Sequence, residues 1–287
     1  MNHRIIFEVM PYSRASSESY VQKLASRIVE ALNDLEEVSL VNIPEIVEEN
    51  HNGQPYYRNI DPRKFGRELH EKCNKEILIN TVVVHNGSKE AFSQWLDESS
   101  NLYGIRNFVF VGAKIPSLKY PGPSVPEANL IAQQKNLNFG NIFIPDRPNE
   151  SDKLIEKTKA GCKFFTSQVL FEGGAAIRSI AEYAEKCRSN NLKPAKFYLS
   201  FAPASSEEDI IFIKWLGAEM SKATESRLRD AGDMGKESIT LLLDLVKDII
   251  QSSKTTGIEI GLNIEYIMIH NLDLAKELVK KASKLLN

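Results

Sequence analysis

The stretch "RIIFEVMPY", Arg4 to Tyr12, sets the pattern from which the fold can be read. Ile5, Ile6 and Phe7 form a short apolar run that reads as a buried strand. Glu8 then interrupts it, before Val9, Met10 and Pro11. Seven further apolar runs follow: "EVSLVNI" (37–43), "EILINTVVV" (76–84), "NFVFVGA" (107–113), "NIFIP" (141–145), "KFFTSQVLF" (163–171), "KFYLSFAP" (196–203) and "GIEIGLNIEYI" (257–267). The stretches between them have helical spacing. Val21, Leu24, Ile28 and Leu32 share one face, as do Ile177, Ile180 and Ala184. Asp61-Pro62 opens one helix and Ser88 another, as N-caps. Strands alternating with helices imply parallel pairing and a sheet covered on both faces. Eight such units in 287 residues fit an α/β fold of the (β/α)8 barrel (TIM barrel) type, one domain over 1–287. A doubly wound open sheet is the alternative. The segment from Glu207 to Ser253, after the seventh strand, has room for two or three helices.

The bulk composition narrows the partners. A net charge of −2 gives no general attraction to nucleic acid or to acidic membranes. No apolar run reaches the roughly 18 residues of a membrane span. Cys73, Cys162 and Cys187 lack metal-ligand spacing, and so few cysteines in this length point to a reduced, cytoplasmic protein. The five histidines show no metal-binding pattern either.

In a (β/α)8 barrel the chemistry gathers at the C-terminal ends of the strands. Those ends carry Glu8, Asn42, His85, Lys114, Asp146, Gln168, Ser200, Asn263 and Glu265. A carboxyl group flanked by Phe7, Val9 and Met10 has a raised pKa, which suits a general acid. Its bland counterpart is a structural hydrogen bond or an ion pair. His85 reads as a ligand or proton donor, or as a hydrogen-bonded wall residue. Gly173 and Gly174 in "FEGG" read as a phosphate cradle at a helix N-terminus or as a tight strand-to-helix turn. The polar loop "HNGQPYYRNIDP" (51–62) reads as a cover for a flat ring or as a surface loop. Trp95 and Trp215 fall in helical segments, where packing is the expected role.

Several stretches together resemble the methylenetetrahydrofolate reductase family. "FEVMPY" is similar to its first-strand motif and "VSLVNIPE" to its second strand. "AGCKFFTSQVLFE", preceded by "KLIEKTKAG", resembles its strand-six segment, and "YPGPSVPEAN" and "GLNIEYIMI" look like a divergent branch. The resemblance implies a barrel that reduces a methylene-tetrahydropterin to its methyl form. Glu8 would be the general acid, and Gln168 would hydrogen-bond the pterin. Asn42, His85 and Asn263 are further candidate substrate contacts. Lys157 matches a lysine that contacts flavin in flavoprotein members, and Lys114 and Asp146 complete the candidate cofactor contacts. Lys114 stands where those members carry an aspartate, and Val82 stands at a histidine position. The resemblance therefore leaves two routes open: a bound FAD or FMN, or direct hydride transfer from NAD(P)H. The alternatives are a methyl-tetrahydropterin-dependent methyltransferase and a non-catalytic pterin-binding subunit. The implied partners are a small reduced pterin and a second copy or partner subunit. Lys114 or Arg147 would hold the ligand's glutamate tail or a nicotinamide phosphate.

Overall fold

All eight apolar runs become strands of a closed parallel barrel in the computed structural model, which describes residues 4–115 and 117–286. They are β1 (Ile5–Glu8), β2 (Val38–Pro44), β3 (Glu76–Val82), β4 (Asn107–Val111), β5 (Asn138–Phe143), β6 (Phe164–Val169), β7 (Lys196–Phe201) and β8 (Ile260–Glu265). Each strand pairs with its chain neighbour, and β1 closes the ring against β8. The open-sheet alternative is thereby excluded. The helices are α1 (Glu18–Asn33), α2 (Pro62–Cys73), α3 (Lys89–Asn101), α4 (Val125–Gln134), α5 (Glu150–Lys159), α6 (Gly174–Ser189), α7 (Glu207–Trp215), α8 (Lys222–Arg229), α9 (Met234–Ser253) and α10 (Leu272–Ala282). Helices α7, α8 and α9 are the three that follow β7. Asp61 and Ser88 cap α2 and α3, accepting from the Arg63 and Ala91 amides. No helix among the described residues is long and apolar enough to cross a membrane.

The period-2 alternation of a strand explains how the barrel is filled. Ile6, Leu40, Leu78, Val109, Phe164 and Tyr198 point inward and pack on one another as the barrel's interior layer. Two residues further along five of these strands stand Glu8, Asn42, Asn80, Thr166 and Ser200, which line a cavity at the C-terminal mouth. The same alternation that builds an apolar floor thus delivers polar groups above it. Burying a ring such as Phe164 contributes about 2–3 kcal/mol. Room for it comes from Gly140, where a Cβ would sit 2.4 Å from the Phe164 ring. Gly261 makes the same allowance for Tyr198, at 2.7 Å.

Strand β5 begins three residues before the run "NIFIP" and ends before its proline. Asn138, Gly140 and Asn141 have weak strand preference, so the apolar signal starts late. Tertiary contacts override it. Gly140 admits Phe164, and the buried Asn141 amide exchanges two hydrogen bonds with Asn129 of α4, at 2.9 and 3.0 Å.

Candidate functional site

Four strands bring the central group together. Glu8 ends β1 and stands in register with Asn42 on β2 and Glu265 on β8. Asn263, two residues before Glu265 on the same face, is in register with Ser200 on β7. The Asn42 Nδ2 donates to Glu8 Oε2 at 2.6 Å. The Asn263 Nδ2 reaches three acceptors: Ser200 Oγ at 3.0 Å, Glu265 Oε1 at 3.0 Å and Glu8 Oε2 at 3.4 Å. Both carboxyl groups are half-buried, open to the cavity but enclosed by protein on their other sides.

That enclosure governs their charge. Burial, followed by the nearby Glu265 carboxylate, holds the Glu8 pKa well above the usual carboxylate range, and the two asparagine donors only partly offset it. Burial likewise pushes Glu265 up to about 7. Among the described residues, no Lys, Arg or His lines the cavity to reverse either effect.

The cavity measures about 310 Å³. Beside the acids its walls carry Gln168, Met10, Ile142 and, at the mouth, Phe212 and Trp215. Three amide oxygens, the Oδ1 atoms of Asn42, Asn80 and Asn263, have no protein partner, nor does the Thr166 hydroxyl. Polar atoms so placed are ready to bind a ligand. Gln168 owes its aim to a bulge: Thr166 pairs with Tyr198, but Val169 pairs with Ser200, so β6 carries an extra residue here.

Of the residues singled out in the sequence, Glu8, Asn42, Gln168, Ser200, Asn263 and Glu265 meet in this cavity. The other four lie elsewhere. His85 follows β3 in a turn of 3₁₀ helix, its side chain 1% exposed. Its Nε2 lies 3.0 Å from Glu49 Oε1, and the Tyr120 hydroxyl donates to Glu49 Oε2 at 2.9 Å. The hydrogen-bonded wall residue is therefore the reading its geometry supports. Lys114 is exposed on the loop after β4, outside the cavity. Lys157 donates to the Ile142 carbonyl at 2.6 Å, and burial lowers its ammonium to about 8. Asp146 is exposed and lines a neighbouring cleft of about 220 Å³ that shares Gln168. Arg147 pairs with Glu150 at 2.5 Å. The side chains offered for a flavin thus do not line this cavity together.

Two features were missed or misread. Trp215 is not packed away: it is 73% exposed, stacked on Phe212 with ring centroids 5.5 Å apart. A helical segment of the sequence does not show which face lacks a neighbour. Glu265 stood among the strand ends, but its pairing with Glu8 depends on barrel closure. The 51–62 loop contributes to a short hairpin (Glu48–Glu49 with Pro55–Tyr56), and Gly53 packs against Leu118 and Tyr120 rather than over the cavity. Gly173 lies against Leu245, where a Cβ would come within 2.8 Å, so close packing accounts for that glycine. A larger cleft, about 600 Å³, opens at the opposite end of the barrel near Lys163, Lys193 and Lys196. It holds none of the strand-end residues.

No protein-family model matches the chain, and no curated protein does. Among solved structures it is similar to an uncharacterized protein from Clostridium thermocellum that binds two copies of 5-methyl-5,6,7,8-tetrahydrofolic acid. The TM-score is 0.81 at 21% identity, over 98% of this chain and 95% of that one. It is also similar to a GH113 beta-1,4-mannanase (TM-score 0.59, 8% identity, 98% of each chain). A third likeness is to the thermostable aldo-keto reductase Tm1743 (TM-score 0.54, 10% identity, 98% of this chain and 93% of that one). At such identities the likeness establishes the barrel fold, which serves many chemistries.

Proposed function

We propose that this chain binds a reduced pterin of the folate type in the Glu8 cavity. We propose further that it acts there as a methylenetetrahydrofolate reductase-like oxidoreductase. The observation that carries the reading is the carboxyl group of Glu8, enclosed in a cavity whose described lining holds no cation, with burial and the Glu265 carboxylate holding its pKa well above the usual carboxylate range, as a general acid requires. A fully solvated glutamate, with a pKa near 4.3, would be almost wholly ionised there. The pterin ring system offers N–H and amino donors along one edge, and the cavity wall offers three unpartnered amide oxygens to receive them. Gln168 supplies both a donor and an acceptor for the pterin amide. The methyl-tetrahydrofolate ligand of the Clostridium thermocellum protein supports the same class of ligand.

In the proposed reaction the five-membered ring of a methylene-tetrahydropterin must open. The protonated Glu8 gives its proton to the departing nitrogen, and Asn42 and Asn263 hold the carboxyl group in place. NAD(P)H supplies hydride for the methylene carbon. The dispersal of Lys114, Lys157 and Asp146 supports the flavin-free form of the reaction. The mouth formed by Trp215 and Phe212 gives a flat apolar surface for the aromatic part of the ligand's tail.

Calorimetric titration with methyl-tetrahydrofolate, followed by an NAD(P)H oxidation assay with methylene-tetrahydrofolate, tests this. Binding and turnover by a colourless protein are expected. Absence of binding overturns the pterin reading. Binding without NAD(P)H oxidation overturns the reductase reading and favours the methyltransferase or the non-catalytic subunit, which methyl transfer to cobalamin then separates. Flavin absorbance in the purified protein overturns the flavin-free form.

A further inference from the structure

The cavity contains a second carboxyl group that the reaction above does not use. We propose that Glu265 is the proton partner of Glu8: the two carboxyl groups hold one proton between them at neutral pH, and the negative charge on Glu265 keeps that proton on Glu8. The inference builds on the reading of Glu8 as the acid and adds a residue to it.

The geometry carries the argument. Closure of the barrel sets Glu8 and Glu265 side by side as register partners on β1 and β8. One amide group, the Asn263 Nδ2, lies within hydrogen-bond reach of Glu265 Oε1 and Glu8 Oε2, tying the two acids to a single donor. Among the described residues lining the cavity, none supplies a positive charge to the pair. Strand β2 presents Asn42, β3 Asn80, β6 Thr166 and Gln168, and β7 Ser200. Tyr266, just after β8, is the further titratable group at the cavity, and burial raises its pKa, so it is neutral. Two like charges enclosed together without a cation repel, so the second ionisation is opposed by the first.

The pairing has a chemical consequence. Before reaction the pair carries one negative charge. When Glu8 protonates the departing nitrogen, the carbon–nitrogen bond breaks and its electron pair stays on that nitrogen. The methylene group becomes a cationic iminium, and the pair becomes doubly ionised beside it. Hydride from NAD(P)H then neutralises the cation. The two carboxylates are left facing each other, and their repulsion draws a proton from solvent back to Glu8. Glu265 is thus a positioning residue for charge, acting through Glu8.

The test uses ligand-free protein labelled with ¹³C at the glutamate carboxyl carbons and titrated by NMR, as wild type, Glu265→Gln and Glu8→Gln. Wild type is expected to show two separate steps for the pair, with Glu8 the last to ionise. In Glu265→Gln the Glu8 midpoint is expected to fall by about one pH unit or more. The alkaline limb of the activity profile should move down with it. Glu265→Asp, which keeps the charge, should leave the midpoint high. An unchanged Glu8 midpoint in Glu265→Gln overturns the proposal, as does joint ionisation of both groups in the ordinary carboxylate range. If Glu265→Gln does not fold, the number and position of the wild-type steps decide alone. The titration needs no pterin, so failure of the pterin reading and failure of the proton partnership are separate results.

Discussion

The two halves of the barrel mouth hold the same kind of residue in opposite circumstances. On the β1–β8 side, Glu8 and Glu265 face each other across a shared asparagine amide, with no cation among the described residues of the cavity lining. Toward β3 and β4, Glu49 is held by His85 on one oxygen and by the Tyr120 hydroxyl on the other. The second cluster pins three loops together: the hairpin, the turn after β3 and the loop after β4. Its carboxylate has a partner for each oxygen and lies outside the Glu8 cavity. The first cluster has polar atoms to spare and a cavity in front of them. A carboxylate at a barrel rim is therefore not a sign of chemistry by itself. What separates the two is whether its neighbours satisfy it or leave it exposed to a ligand.

Four changes bear on that contrast, from the largest expected effect to the smallest. Glu8→Gln keeps the shape and the Asn42 contact but removes the transferable proton. Turnover in the NAD(P)H assay should fall by about 10²–10⁴-fold, while calorimetric pterin affinity stays within a few-fold. Turnover within about twofold of wild type would break the assignment. On the other side, His85→Ala should leave pterin affinity unchanged but cost about 2–3 kcal/mol in urea unfolding, because Glu49 loses a buried partner. A loss of binding with no loss of stability would exchange the roles of the two clusters.

Glu265→Gln tests the cost of crowding two acids. The folded Glu265 carboxyl titrates above its unfolded value, so between 4.5 and about 7 the folded protein binds more protons than the unfolded chain. Wild-type stability should therefore fall as pH rises through that window. The variant should be the more stable protein at pH 8, by on the order of 2 kcal/mol, with the difference vanishing toward pH 4. Equal stability at both ends would show that the site carries no such strain. Trp215→Ala, at an exposed ring on the cavity mouth, should weaken pterin binding by about 1 kcal/mol and leave the unfolding midpoint unchanged.

Much of this molecule was legible in its sequence. The eight apolar runs gave the barrel because a strand buried on both faces leaves a continuous hydrophobic signal. The strand ends then placed Glu8, Asn42, Gln168 and Asn263 at the mouth. Strand β5 was read three residues late because Asn138, Gly140 and Asn141 owe their place to neighbours rather than to propensity. His85, Lys114, Lys157 and Asp146 were grouped with the site by position. Their side chains turned to Glu49, to solvent, to the Ile142 carbonyl and to an adjoining cleft, none of which a one-dimensional pattern encodes.

The sequence alone determined the alternation of strands and helices and the polar residue two steps beyond five of the six apolar floor residues, since both follow from local periodicity. Only the tertiary structure decided which polar residues share a cavity. It closed β1 onto β8 across more than 250 positions of chain and set Glu265 beside Glu8. It also left Trp215 largely exposed, stacked on Phe212 at the cavity mouth. The charge state of a carboxyl group depends on what lies within a few ångströms of it, and that is settled by the closing of the barrel, not by the order of the residues along it.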